Sequence, residues 1–284
     1  MARITKKDIY ASYDIQFDGE KIYCDLLDMW VQPLLINGNE KIGRGVWHFS
    51  TLAGKGIVSD EIVNDVIGEH AKLAGMTADE LRAACGGTCC CNCPGCYAQA
   101  GNYQYDSVIV SLARKSLLSR VALEWVERAI NAQLAADRIE YVRIHASGDF
   151  VSADYVNMWT RIGTNNPDTI FWTYTKTDFA ECESFKALTN CNIVESLIDG
   201  KYINYGPAGY IVQLYDMLKA RGEDVYLCRC GIDSQQHCTG CHHCYSSRYV
   251  LFLEHSTGYD KTKDPMITEY IKRVLQQDRA SLAV

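Results

Sequence analysis

Two tight knots hold eleven of the chain's fourteen cysteines. The first, in CGGTCCCNCPGCYA, comprises Cys85, Cys89, Cys90, Cys91, Cys93 and Cys96. The second, in CRCGIDSQQHCTGCHHCY, comprises Cys228, Cys230, Cys238, Cys241 and Cys244. Thiols two or three residues apart are badly placed to bridge one another, because a disulfide needs a defined Cα separation and facing Cβ vectors. They are well placed to turn several sulfurs into one concavity, which is the requirement of a metal site. A chain of 284 residues with no apolar leader at its MARITKKDIYASYDIQF start reads as cytoplasmic. In that reducing setting clustered thiols bind metals or catalyse.

Within the first knot, Cys89-x3-Cys93-x2-Cys96 can hold three irons of a [4Fe-4S] cluster and leave the fourth open. A second register, Cys90-x2-Cys93-x2-Cys96, is an equally good iron–sulfur spacing. Cys85 offers a fourth thiolate that would close the site, and zinc is the competing metal. Cys93 and Cys96 belong to both registers. The second knot offers Cys238-x2-Cys241-x2-Cys244, with Cys228 and Cys230 upstream as further ligands. Four thiolates there suit a second cluster or, alternatively, zinc, with His242 and His243 as further donors. Cys24, Cys182 and Cys191 stand alone and read as half-buried thiols.

The elements that must position these loops alternate. GVWHFS (45–50) reads as a strand, with helices expected over 59–74 and 77–84, the second opened by a Thr77/Glu80 capping box. One long helix is expected over 107–137 from the spacing of Val110, Ala113, Leu117, Val121, Trp125 and Ile130. YVRIH (141–145) is a strand, and Ser152 caps the helix after it. TIFWTY (169–174) is another strand, with Asp178 and Glu181 opening the next helix. Residues 192–197 form a strand, Pro207 and Gly222 bound a helix, 225–227 and 249–253 are strands, and Pro265 begins a last helix. Repeated βα units imply parallel strands. The expectation is one α/β domain over 1–284, a partial (β/α)6-type barrel with mostly parallel strands. It has an N-terminal extension (1–44) and two cysteine-rich metal-binding loops, 85–97 and 228–247.

Ligands of such sheets lie at the carboxyl ends of the strands. YVRIH runs into Ser147-Gly148-Asp149, a small-Gly-acid turn suited to a ligand amine, though it also reads as a tight turn before a helix cap. His145, Tyr174 and Lys176 stand at the same rim as candidates for proton transfer and substrate binding. Glu195 is a candidate inward-facing carboxylate, and His255 a weaker candidate at the last strand's end.

The Cys89/Cys93/Cys96 spacing resembles the signature of radical S-adenosylmethionine (SAM) enzymes, and the Ser147–Asp149 turn is similar to the one that holds the SAM amine in that family. Such enzymes carry an aromatic residue before the third cysteine, where this chain has Gly95 and places Tyr97 after it. The runs RIHASGDFVSADYVNMW and NPDTIFWTYTK, preceded by a cysteine loop ending CYA, resemble the phage-associated gene product 88 family from about Ile42 to His255. That resemblance implies a phage or mobile-element origin and an iron–sulfur protein with a radical-SAM-like barrel, its cysteines being Cys89, Cys93 and Cys96. The expected cofactors are one or two [4Fe-4S] clusters and SAM, with zinc as the alternative at the second knot. The expected partners are a small-molecule or macromolecular substrate and an electron donor of the flavodoxin or ferredoxin kind. Non-SAM redox or sulfur transfer, and a zinc-stapled binding module, are the competing functions. The net charge of −7 disfavours general nucleic-acid binding, and no stretch is apolar enough to span a membrane.

Overall fold

Capping chemistry starts the chain. Thr5 Oγ1 accepts from Asp8 N–H (3.2 Å) and the Asp8 carboxylate accepts from Thr5 N–H (2.8 Å), opening α1 (Lys6–Ser12). The computed structural model describes residues 3–38, 42–68, 73, 75–89, 96–99, 101–177, 182–198, 201–228, 238–253, 269, 272 and 273. Residues 1–192 and 193–284 form two compact units. In the first, β1 (Ile22–Cys24) and β2 (Met29–Val31) make an antiparallel hairpin. The stretch expected as an extension thus carries regular structure, and it also contributes β3 (Ile36–Asn37) to the main sheet.

That sheet is ordered β3-β4-β5-β6-β7, with β4 (Val46–Phe49), β5 (Tyr141–Ile144), β6 (Ile170–Thr175) and β7 (Cys191–Glu195); the division between units falls within β7. β3 is antiparallel to β4, whereas β4, β5 and β6 run parallel, with His48, Arg143 and Trp172 in register and Phe49, Ile144 and Thr173 in register one residue on. Because side chains alternate along a strand, these two rows face opposite sides of the sheet. The Phe49 row packs on helices: the Phe49 and Phe171 rings meet Trp159 edge-on at 5.5 and 6.4 Å. The other face carries His48, Arg143, Trp172 and Tyr174, and the Arg143 guanidinium lies 4.7 Å from the Tyr174 ring.

Between β4 and β5 lie α2 (Asp60–Val66), α3 (Ala78–Ala84), α4 (Asp106–Val121) and α5 (Leu123–Asp137). The Thr77/Glu80 capping box forms as expected. The single helix expected over 107–137 is instead two. Ala122 leaves helical geometry (φ −140°, ψ 40°), its N–H ending α4 on the Leu118 carbonyl while its own carbonyl accepts from Val126 N–H to start α5. The break redirects the chain so that Leu117 and Leu118 on one helix and Trp125, Val126 and Ile130 on the other all become core. Ala is a good helix former, so no local signal marks it. α6 (Ala153–Asn165) starts where Ser152 Oγ accepts from Tyr155 N–H, and α7 is Cys182–Lys186. Asp178 and Glu181, expected to open it, lie outside the described residues.

The second unit begins with an antiparallel pair, β8 (Leu197–Ile198) and β9 (Tyr202–Ile203). β10 (Tyr205–Gly206), β11 (Val225–Leu227) and β12 (Tyr249–Leu253) form a parallel sheet ordered β10-β12-β11. Pro207 and Gly222 bound α8 (Ala208–Ala220) as expected, Gly222 adopting φ +78°. Ile211, Leu214 and Leu218 of that helix form a core with Val225, Leu227, Leu251 and Leu253. The short α9 (His243–Ser246) precedes β12. Pro265 and the start of its helix lie outside the described residues. The fold is therefore mixed α/β with mostly parallel strands. Its six expected strands are shared between two sheets, and no closed barrel forms among the described residues.

Arg120 joins α4 to the approach to the first cysteine knot. Its guanidinium donates to the carbonyls of Ala84 (2.8 Å), Gly86 (3.2 Å) and Gly87 (2.7 Å). Removing it strands those acceptors, each at about 1–3 kcal/mol where water cannot replace the donor. Arg120→Met is expected to lower unfolding stability by about 3 kcal/mol in urea titrations; a change under about 0.5 kcal/mol would show that water satisfies the loop.

Candidate functional site

Two backbone segments distant in sequence run side by side beyond the carboxyl end of β4. Thr88 N–H donates to the Leu52 carbonyl (2.9 Å), Gly87 N–H to Gly56 (3.0 Å) and Cys89 N–H to Gly54 (3.1 Å). The approach is close enough that a Cβ on Gly87 would lie 2.1 Å from the Gly54 carbonyl oxygen. Cys89 is thereby seated at the strand end, where its Sγ accepts the Gly54 N–H at 3.2 Å.

The Ser147-Gly148-Asp149 turn joins the same place. Thr51 N–H donates to the Ser147 carbonyl (3.0 Å) and Ser147 Oγ donates back to the Thr51 carbonyl (2.8 Å). Thr88 Oγ1 donates to the Leu52 carbonyl (3.1 Å), accepts Asp149 N–H (3.0 Å) and shares a hydrogen bond with Thr51 Oγ1 (2.8 Å). Gly148, at φ +88°, lies against these hydroxyls: a Cβ there would come within 1.9 Å of Thr51 Oγ1. Asp149 is only 5% exposed. Its Oδ1 accepts from Thr175 Oγ1 (2.6 Å) and Phe150 N–H (2.9 Å), and its Oδ2 from Lys176 N–H (3.0 Å). Burial pushes this carboxyl up, while the Thr175, Lys176 and Phe150 hydrogen bonds pull the other way. The turn therefore ties the ends of β4, β5 and β6 together, and the cap of α6 falls to Ser152 rather than Asp149.

Strand alternation would set His145 beside Arg143. Its backbone is instead left-handed (φ +60°), and the ring turns toward α6, with Nε2 3.0 Å from the Tyr155 hydroxyl and an edge contact to Phe150 at 4.9 Å. His145 is 3% exposed, and its Nδ1 has no hydrogen-bond partner among the described residues. Burial, helped by Arg143, pushes its pKa down to about 3, and burial pushes the Tyr155 phenol up. Tyr174 lies under Arg143, and Lys176 is held by its backbone N–H. Glu195 pairs with Arg248 Nε at 3.1 Å.

Three groups escaped the sequence reading. His48 and Arg143 share one face of the sheet, and burial with the Lys115 and Arg143 charges pushes His48 down to about 4. Lys115 of α4 is buried, which pushes its pKa down to about 8. The third is Thr88, whose hydroxyl joins the two motifs.

Around the first knot, Cys96 is half-buried and its carbonyl accepts from Gln99 N–H (3.0 Å). Cys90, Cys91 and Cys93 lie outside the described residues. Cys85 is fully buried, and burial pushes its thiol up to about 11. In the second knot, Cys228 and Cys244 are buried and Cys238 and Cys241 half-buried, with Cys241 N–H donating to the Cys238 carbonyl (3.1 Å). His243 stacks on Tyr226 with centroids 3.5 Å apart. Cys230 and His255 lie outside the described residues. Among the described residues no group of three or more His, Cys, Asp or Glu is disposed to hold a metal ion. Cys24, Cys182 and Cys191 are core thiols, burial pushing Cys24 to about 11 and Cys191 to about 12.

These features define a mixed α/β protein whose motifs gather at the carboxyl end of a mostly parallel sheet. No helix among the described residues is long and apolar enough to cross a membrane. The gene product 88 family profile matches residues 34–264, and the chain belongs to that family. Among curated proteins and solved structures, none matches it.

His145 is neutral in the folded chain, whereas its unfolded form takes up a proton as pH falls through about 6.5. The stability it contributes is complete above that pH and is lost toward pH 3, and His48 acts likewise down to about 4. Each pH unit in the window costs about 1.4 kcal/mol per such histidine. Urea titrations from pH 7 to 4 should show a shallower loss in His145→Asn, whose side chain tolerates the left-handed backbone; equal slopes would refute the buried neutral imidazole. Thr88→Val keeps the shape but strands the Asp149 N–H. It should cost about 2–3 kcal/mol in the same assay, and a silent substitution would refute the joint.

Proposed function

We propose that the chain is an iron–sulfur enzyme of radical-SAM-like type. Cys89, Cys93 and Cys96 hold an open-iron [4Fe-4S] cluster at the strand ends. The observation that carries this reading is the seat of Cys89: the backbone ladder of residues 87–89 on 52–56 sets its sulfur at the carboxyl end of β4, beside the Ser147–Asp149 turn. The donor chemistry also fits. Cys89 Sγ already accepts a backbone N–H, the kind of contact that tunes cluster sulfurs. On this reading Cys85, fully buried, stays outside the ligand set, which leaves one iron open.

Such a cluster with SAM supplies one-electron reductive cleavage of a sulfonium. The chain's own part is to position and shield. The Ser147–Asp149 turn offers backbone groups to the cofactor amine, and Tyr174 and Lys176 take part in substrate handling, while His145, buried against Tyr155 and Phe150, acts only by positioning. Cys228, Cys230, Cys238, Cys241 and Cys244 hold a second cluster as relay or structural site, with zinc as the alternative metal. The finer setting is a phage-encoded protein working in the host cytoplasm, with a flavodoxin- or ferredoxin-like electron donor.

One observation favours a second reading, a cluster without SAM serving redox or sulfur transfer. Both Asp149 oxygens already accept hydrogen bonds from the fold, which leaves less of the carboxylate for a ligand amine.

Anaerobic purification with iron and sulfide analysis, electron paramagnetic resonance, and a dithionite and SAM assay separate these readings. Cys89→Ala and Cys96→Ala should lose one cluster's iron and Cys85→Ala none. Methionine and 5′-deoxyadenosine should form in the parent chain. Iron without 5′-deoxyadenosine would leave only the second reading, and a colourless, zinc-loaded protein would overturn both.

A further inference from the structure

A cavity of about 650 Å³ lies within the first unit, away from the strand-end joint and walled by α4, the β2–β3 segment, Tyr10 and Trp47. That size suits a small organic ligand. Its floor is apolar, with Leu34, Leu118, Phe17 and Trp47 among the lining. The α4 wall differs. Ser107, Ser111 and Lys115 recur every fourth residue, so they share one helix face. They run from exposed Ser107 through half-buried Ser111 to Lys115, which is 4% exposed.

Lys115 is the unusual member of this row. Its Nζ is buried and has no hydrogen-bond partner among the described residues; it lies 5.7 Å from the Phe49 ring centroid, and its charge is felt by His48. A buried ammonium without an anion is costly. Of the other charges of the lining, Lys6 pairs with Asp137, the Arg114 guanidinium donates to the Asp65 and Val66 carbonyls, and the Glu20 carboxylate stands at the exposed rim. Gln133 places both amide atoms on the Leu35 backbone. The Lys115 stem lines the cavity while its ammonium lies behind the wall toward Phe49, so a ligand that draws it in must carry one negative charge on an apolar body. A phosphate dianion would want an Arg fork or a nest of backbone N–H groups, and this wall offers a single flexible ammonium with two hydroxyls.

We propose that this cavity binds a small apolar monocarboxylate, its carboxylate paired with Lys115 and its body on Leu34, Leu118 and Trp47. The four-carbon stem lets the ammonium swing from the Phe49 ring to the ligand.

Calorimetric titration with 4-phenylbutyrate, and with 4-phenylbutanol as the uncharged match, tests this on the full chain. The acid should bind about tenfold or more tightly than the alcohol, and Lys115→Met should erase that difference. At pH 8.5 the free lysine is largely neutral, so binding the acid should take up a proton, read as an enthalpy that depends on the buffer; Lys115→Met should show no uptake. Ser111→Trp keeps the lysine but fills the cavity, and should abolish binding. Near-ultraviolet circular dichroism confirms that each variant is folded, and Ser111→Trp decides the matter if Lys115→Met is not. Equal binding of acid and alcohol, no binding of either, or full acid binding by a folded variant would overturn the proposal.

Discussion

A single hydroxyl holds the candidate site together. Thr88 Oγ1 has one proton and two lone pairs. The proton goes to the Leu52 carbonyl, and the lone pairs take the Thr51 hydroxyl and the Asp149 N–H. No capacity remains, and none of these groups is left without a partner. Through that atom the approach to the first cysteine knot, the end of β4 and the Ser147–Asp149 turn become one body. Asp149 extends it to β6 through Thr175 and Lys176. A buried polar network fully satisfied in this way fixes geometry more tightly than apolar packing does. If the loop holds a cluster as proposed, its Cys89 ligand is placed to that standard.

The electrostatics of the first unit run against the chain's overall sign. The net charge is −7, yet apart from buried Asp149 the charged and imidazole groups gathered in and against the central sheet are buried His145 and Lys115 and half-buried His48 and Arg143. Their mutual influence is visible in the downward push on both histidines, to which Arg143 contributes. The acidic residues lie mainly outside, in helix first turns such as Asp60, Glu61, Asp79 and Glu80, where they favour the helix dipole. Net charge therefore describes the surface rather than the interior of this unit. That is why the disfavour for nucleic acid read from composition does not extend to small anionic ligands.

Local chemistry was legible in the sequence wherever it acts within one turn. The Thr77/Glu80 box, the Ser152 cap and the Pro207 and Gly222 boundaries depend on side chains within about four residues, and all stand where expected. Three things were not legible. The break at Ala122 has no signal, because alanine favours the helix it interrupts and tertiary packing sets the angle. The hairpin and β3 in the first 44 residues are two- and three-residue strands, too short to show a period. The partition of six strands between two sheets depends on pairing between residues far apart in the chain. Of the site, Cys89, Cys96 and the Ser147–Asp149 turn could be named. Thr88 could not, since one threonine among cysteines looks like loop, nor could Lys115, which follows Arg114 in a helix pattern that accommodates both.

The two cysteine knots are held by different means, and this bears on what each can do. The first is approached through a backbone ladder and an arginine clamp on Ala84, Gly86 and Gly87. Cys89 is fixed by the ladder at the strand ends, the region where parallel sheets place ligands. The second leans on the sheet of the second unit. Cys228 N–H donates to Leu251 of β12 (2.8 Å), Cys244 is buried on α9, and His243 lies flat on Tyr226 of β11. Cys228 and Cys244 thus start from the core and the strand backbone, while Cys238 and Cys241 are half-buried. A ligand set tied into a core serves stability or electron transfer, whereas one presented at a strand end is suited to meeting a substrate. On the proposed reading, chemistry falls to the first knot and support to the second.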